Sequence, residues 1–322
     1  MRALIVGGTE FISLHLLQSL LRRDHEVVVF NRGRRPERLP PGVKRITGDR
    51  KDHAALRRRL EHEPFDVVFD VAYAPTVGED VAALADAVRG APHVFFVSTA
   101  RVYDHALPIP YSEETPRRDY WGEYARHKTA GEDALLERHR QRGLPVTIVR
   151  PTHVIGPLNT RNNETFFMDR IRCGRPVLVP GHGGWLRQFG HVEDLAETMV
   201  TMAGDPRSHG QAYNVMGEES ITMVGFAELI AEVMGRRVTL RHFDPALLKS
   251  MGRPGPVFGQ NLVYDCHAVH TTHKLRLELG LRPRYTLASG LAHTWEWYQA
   301  EGLDRRPVDF SFEDELLAKI PA

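Results

Sequence analysis

Short apolar runs alternate with amphipathic stretches through the first half of this chain. The runs predict strands near 3–6, 26–30, 43–46, 66–71, 93–98 and 145–149. Between the first two, Phe11, Leu14, Leu17 and Leu21 recur at helical spacing. Strands that are apolar throughout, separated by helices, predict a doubly wound α/β fold, with helices on both faces of a parallel sheet. Past Pro151 glycine and proline become more frequent and the apolar runs shorten. Segments 156–185 and 216–265 are therefore expected to build a smaller lobe. "HVEDLAETMVTMA" and "QAYNVM" return to the first domain. The expected division is 1–150, with elements returned from about 189–215, and 151–322, a smaller lobe with a C-terminal extension. The tail "DRRPVDFSFEDELLAKIPA" wraps the body or meets a partner subunit, as in a homodimer.

The break after the first run matters most. Ala3–Val6 is followed at once by Gly7 and Gly8, then by a helix and a second strand. Strand, glycine turn, helix and strand form the unit that sets a pyrophosphate on the positive N-terminus of a helix. A turn with glycines at every third position would carry them at 7, 10 and 13, where this chain has Gly7, Glu10 and Ser13.

Composition narrows the classes. At 322 residues and 42% hydrophobic, the chain can bury a sizeable core. With 42 Lys+Arg against 41 Asp+Glu, no global field recruits nucleic acid or membranes. Cys173 and Cys266 are too few for a disulfide scaffold, so a reduced, cytoplasmic setting is expected. The 17 histidines show no recognised metal-ligand spacing, and no metal is expected. With strand one opening at Ala3, no leader is expected, and no apolar run approaches a membrane span.

The candidate chemistry lies about 25 residues past the fifth apolar run, "HVFFVSTA", which ends in hydroxyls. There "WGEYARHK" holds Tyr124 and Lys128. Four residues apart on a helix, a phenol and an ammonium share one face. A free tyrosine, with a pKa near ~10, is a poor base at neutral pH. A nearby cation favours the phenolate and brings it toward the working range.

In order along roughly residues 1 to 300, these motifs resemble the extended short-chain dehydrogenase/reductase superfamily, the NAD-dependent epimerase/dehydratase type. "IVGGTEFIS" is similar to its glycine turn with two glycines replaced. "ITGDRKD" and "FDVVFDVAY" are similar to the ends of its third and fourth strands. "VSTARVY" and "YARHK" resemble its active-site strand and helix, and "RPTHVIGP" and "WLRQFGHVEDLAETMV" its later signatures. "KLRLELGLRP" and "GLAHTWEWY" resemble its C-terminal end. The resemblance implies a Rossmann domain with a smaller α/β substrate-binding lobe. It also implies catalytic roles for Thr99, Tyr124 and Lys128. Cofactor contacts would come from Gly7, Thr9, Glu10, Phe11, Ile12, Asn31, Arg32, Asp49, Arg50, Val71, Ala72, Lys128, Pro151 and His153. Ser98, Thr99, His153 and Arg187 would face a substrate, with Arg187 gripping a diphosphate.

Departures from the family pattern refine this. Ala100 and Arg101 replace the Asp-Glu pair of the sugar dehydratases, which disfavours that reaction. An acid at the end of strand two would select NAD, whereas "FNRGRR" offers arginines there, so NADP(H) is favoured over NAD(H). His153 replaces an expected asparagine, and "NLVYDCHAVHTTHK" lacks a second phosphate-binding arginine. The expected activity is an NAD(P)-dependent epimerase or ketoreductase on a sugar-like, nucleotide-linked small molecule. Two alternatives stand beside it. One is an NADPH-dependent reductase of a non-sugar carbonyl. The other is a non-catalytic RNA-binding relative of the chloroplast stem-loop-binding proteins, which "GGTEFIS", "FNRG" and "GDR" also resemble. The intact Thr99–Tyr124–Lys128 set and the near-zero charge disfavour this last reading.

Overall fold

The computed structural model describes residues 1–72, 76–160, 163–251 and 266–320. Tyr73, which ends the fourth-strand motif, and 252–265, which includes the start of "NLVYDCHAVHTTHK", lie outside the described residues.

Each predicted strand forms: β1 (Arg2–Val6), β2 (Glu26–Asn31), β3 (Lys44–Thr47), β4 (Val67–Asp70), β5 (His93–Val97) and β6 (Val146–Arg150). Between them run α1 (Phe11–Leu21), α2 (His53–Leu60), α3 (Gly78–Ala87) and α4 (Glu123–Arg142). Then come β7 (His153–Ile155), α5 (Asn163–Arg172), β8 (Val177–Pro180), β9 (Arg187–His191), α6 (Val192–Met202) and β10 (Gln211–Asn214). The remainder is β11 (Ser220–Ile221), α7 (Met223–Val233), β12 (Leu240–Phe243), α8 (Ala246–Ser250), α9 (His273–Leu279), α10 (Leu287–Ala300) and α11 (Ser311–Leu317).

The chain divides into two units. The first holds Met1–Val154, Gly190–Met216 and His270–Arg284. It is built on a seven-stranded sheet of order β10-β6-β5-β4-β1-β2-β3. Every pairing in it is parallel, making a doubly wound Rossmann fold. Leu4, Val28, Phe30, Val68, Val94, Phe96 and Ile148 fill one side of this sheet, as unbroken apolar runs covered on both faces require. The order reverses between β1 and β4, so their C-terminal ends open the crevice where such folds bind ligands.

The second unit holds Ile155–Phe189, Gly217–Val269 and Tyr285–Ala322. Phe166, Phe167, Phe226 and Leu291 centre its own core. The tail belongs to it: Phe312 and Leu316 of α11 enter that core, and Arg170 pairs with Glu313. No helix among the described residues is long and apolar enough to cross a membrane.

The helix that matters for the site is α4. It is entered through Gly122 at φ +70° and closed by Gly143 in the left-handed conformation. Gly131 lets it lie close on the sheet, since a Cβ there would sit 2.7 Å from the ring of buried Phe96. Gly131→Val should destabilise the first unit by about 3 kcal/mol through overpacking. A urea midpoint equal to that of the wild type would show that α4 can move away at no cost.

Candidate active site

At the end of β1, Gly7 and Gly8 adopt φ +129° and +87°, a region that disfavours any side chain. A Cβ at Gly8 would meet Val29 Cγ1 at 2.7 Å, and one at Gly7 the Ser13 side chain at 3.3 Å. Asn31 clamps this turn to β2, with Nδ2 donating to the Gly7 carbonyl at 2.9 Å and Oδ1 accepting from Gly33 N at 2.8 Å. Glu10 caps α1 with extended backbone, and its carbonyl accepts from Ser13 Oγ at 2.7 Å. The residues that replace two glycines therefore hold the helix start through a local bond.

The Glu10 carboxylate pairs with Arg35 at 2.9 Å, and Arg38 Nη1 reaches the Thr9 carbonyl at 3.4 Å. The basic loop after β2 thus folds back over the turn, with Arg32 exposed. A glycine cradle with no room for a Cβ, facing a helix N-terminus whose acid is already paired, fits a dinucleotide pyrophosphate. Phe11 is buried in the first turn of α1 and Ile12 lies half-buried beside it.

Val71 and Ala72 lie half-buried just past β4, with the Val71 carbonyl 3.9 Å from the position of a Gly7 Cβ. Asp49 is exposed at the end of β3. Arg50 differs from a simple cofactor contact. Its guanidinium turns inward and grips Asp70 at 2.6 and 2.8 Å, with a third bond to the Asp80 carbonyl at 3.3 Å.

At the end of β5, Ser98 and Thr99 are both buried. Thr99 Oγ1 caps a short 3-10 turn at Ala100–Val102, accepting from Arg101 N at 3.3 Å. Tyr124 is half-buried in the first turn of α4. Lys128, one turn on, is buried, and its Nζ donates to the Val97 carbonyl at 2.7 Å over the ring of Phe96. Burial pulls this ammonium down to about 8; the Asp70 and Glu132 carboxylates oppose that shift and Arg50 adds to it. Pro151 follows β6 and accepts from Ala100 N at 2.9 Å, and His153 is half-buried at the head of β7. Of the residues expected from sequence, the first unit thus gathers the glycine turn, the ends of β2 to β6 and the head of α4.

Arg187 belongs to the second unit. It is buried, with Nη1 donating to the carbonyls of Leu186 and Cys266 at 2.7 and 2.6 Å.

A family model described as "NAD dependent epimerase/dehydratase family" matches residues 3–215. The chain belongs to this family. Among its relatives, the Arabidopsis thaliana chloroplast stem-loop binding protein of 41 kDa b is 30% identical over 336 aligned positions, covering 99% of this chain and 84% of that protein. A probable UDP-glucuronate 4-epimerase of Rhizobium meliloti is 26% identical, covering 92% of this chain and 97% of that protein. Among solved structures, the Thermus thermophilus UDP-glucose 4-epimerase in complex with NAD superposes with a TM-score of 0.76 at 25% identity, covering 93% of this chain and 99% of that one. The Thermotoga maritima UDP-glucose 4-epimerase superposes at 0.79 with 20% identity, covering 94% and 99%.

Sequence reasoning did not anticipate Asp70, Glu132 or the inward turn of Arg50. Spacing held a signal for one of them, since Glu132 lies four residues past Lys128 and so continues the Tyr124–Lys128 face. Asp70 carried no such signal, because its partner stands twenty residues away across two strands. Arg50→Leu would strand a buried carboxylate, and a loss of about 3–5 kcal/mol is expected in denaturant unfolding without any cofactor present. Unchanged stability with weakened cofactor binding would instead make Arg50 a direct contact.

Proposed function

We propose that this chain is an NAD(P)-dependent epimerase or ketoreductase that acts on a sugar-like, nucleotide-linked hydroxyl or carbonyl, with Tyr124 as its acid/base. One observation carries the reading: a buried Lys128 stands one helical turn from Tyr124, on a helix docked to the strand end that bears Thr99. The ammonium stabilises the phenolate of Tyr124, and the Thr99 hydroxyl holds the substrate oxygen against it. In the oxidative direction Tyr124 takes the proton of the substrate hydroxyl, and in the reductive direction it returns one to the carbonyl oxygen. The nicotinamide, when bound, supplies the hydride acceptor and donor.

Gly7, Thr9 and Ile12 would cradle the pyrophosphate, with Glu10 and Phe11 shaping the helix start. Asn31 and Arg32 would meet the adenosine ribose, and Asp49 and the Arg50 backbone the adenine side. Val71, Ala72, Pro151 and His153 would line the nicotinamide half, and Lys128 its ribose. The exposed Arg32 and the absence of an acid in "FNRGRR" support NADP(H), while the Thermus relative was solved with NAD. The UDP-sugar names of the epimerase relatives support a nucleotide-linked substrate, for which Arg187 is the diphosphate grip and Ser98 and His153 flank the reacting carbons. Ala100 and Arg101, in place of an Asp-Glu pair, argue against dehydration. The Arabidopsis relative favours a second reading, binding of RNA stem-loops.

Screening UDP-, dTDP-, GDP- and CDP-sugars with each cofactor should reveal one turnover, and Tyr124→Phe should lower it about a hundredfold or more while cofactor affinity stays within a few-fold. Full activity in that variant would remove Tyr124 from the chemistry. No turnover on any sugar would pass the reading to the non-sugar reductase, or to RNA if a stem-loop binds with the steep salt dependence of phosphate contacts.

Arg32→Ala should weaken NADP(H) by about ten- to a hundredfold and NAD(H) far less, the worth of one charge-assisted contact. Equal losses for the two, or tighter NAD(H) binding by the wild type, would make NAD the cofactor.

A further inference from the structure

The face of α4 that bears Tyr124 and Lys128 continues one turn to Glu132, which is fully buried. Both of its oxygens accept two hydrogen bonds. Oε1 accepts from Ser98 Oγ at 2.5 Å and Arg150 Nε at 2.9 Å. Oε2 accepts from Arg150 Nη2 at 2.6 Å and Arg117 Nη1 at 2.9 Å. Arg150 extends the node through Nη1 to the Tyr103 phenol at 3.0 Å, which donates to Asn214 Oδ1 at 2.6 Å. Arg117 lies toward solvent and holds Asp133 at 2.6 Å with its other nitrogen.

Burying charges costs desolvation that apolar side chains of similar shape avoid, so stability alone does not account for this node. Its location does. Ser98 is the residue before Thr99, and Lys128 bonds to the carbonyl of Val97, the residue before Ser98. Two successive turns of α4 are therefore bonded to two successive residues at the end of β5.

We infer that Glu132 is a positioning residue for this site, tying the Ser98–Thr99 strand end to the register of Tyr124 and Lys128 and acting as a countercharge to Lys128. The inference rests on the proposed role of Lys128 as the cation that holds the nicotinamide ribose. The other charged groups around Lys128 are Asp70 at the end of β4 and its partner Arg50, with Asp80 of α3 behind them, bonded to His53 at 2.8 Å. From β5 the Val97 carbonyl and the Phe96 ring face it.

The test is the affinity of the whole protein for NAD+, followed by fluorescence from about pH 6 to 10, a range that spans the titration of a buried lysine. Wild-type affinity should fall about tenfold as pH rises through the loss of the Lys128 proton. Glu132→Gln keeps the shape and removes the charge, so Lys128 loses its proton sooner and the falling limb moves about one unit toward acid. Arg117→Gln removes a cation paired with Glu132, leaves that carboxylate less compensated, and should move the limb toward alkali. A purely structural node would lower the melting temperature in both variants without moving the limbs apart. If the wild-type limb is present and neither variant moves it, the role of Glu132 is overturned and that of Lys128 stands. If the wild type shows no limb and Lys128→Met binds NAD+ as tightly, the reading of Lys128 itself fails. Should Glu132→Gln not fold, the partly exposed Arg117 decides alone by the direction of its shift.

Discussion

The docking of α4 on the end of β5 is the constraint on which the candidate chemistry depends. Three features hold it. Gly131 offers no side chain to Phe96, so the helix lies close on the sheet. Lys128 Nζ donates one hydrogen bond to the Val97 carbonyl, and Glu132 accepts one from the Ser98 hydroxyl. Van der Waals contact fixes the distance and the two polar bonds fix the register. Tyr124, one turn before Lys128, inherits its place from both.

Two ion-paired groups lie behind this surface. Asp70 and Arg50 close one side, and Glu132 with Arg150 and Arg117 the other. Between them Lys128 sits in an environment that lowers its affinity for a proton, with carboxylates near enough to restrain the fall. The glycine turn is built on a different economy. Its residues at positions 10 and 13 depart from the family pattern, yet a backbone acceptor and a surface ion pair restore the helix start.

Much of the first unit was legible in the order of apolar runs. Each predicted strand appears within two residues of its expected bounds at either end, because a strand covered on both faces must be apolar along its length. The segment "QAYNVM", expected to return to the first domain, carries β10 at Gln211–Asn214. The Tyr-x-x-x-Lys spacing placed two side chains on one helical face, which periodicity alone guarantees.

What the chain order could not disclose is which charges neutralise one another. Arg50 reads in sequence as a cofactor contact in "ITGDRKD", and Arg150 as a residue before a proline. Only tertiary packing, which carries the segment after β3 across to the end of β4 and docks α4 on the ends of β5 and β6, brings Asp70 to the first and Glu132 to the second. Local sequence determines the elements through spacing and propensity, which act over a few residues. The partners of buried charges lie twenty or more positions away or on another element, and are chosen by burial once the strands have aligned.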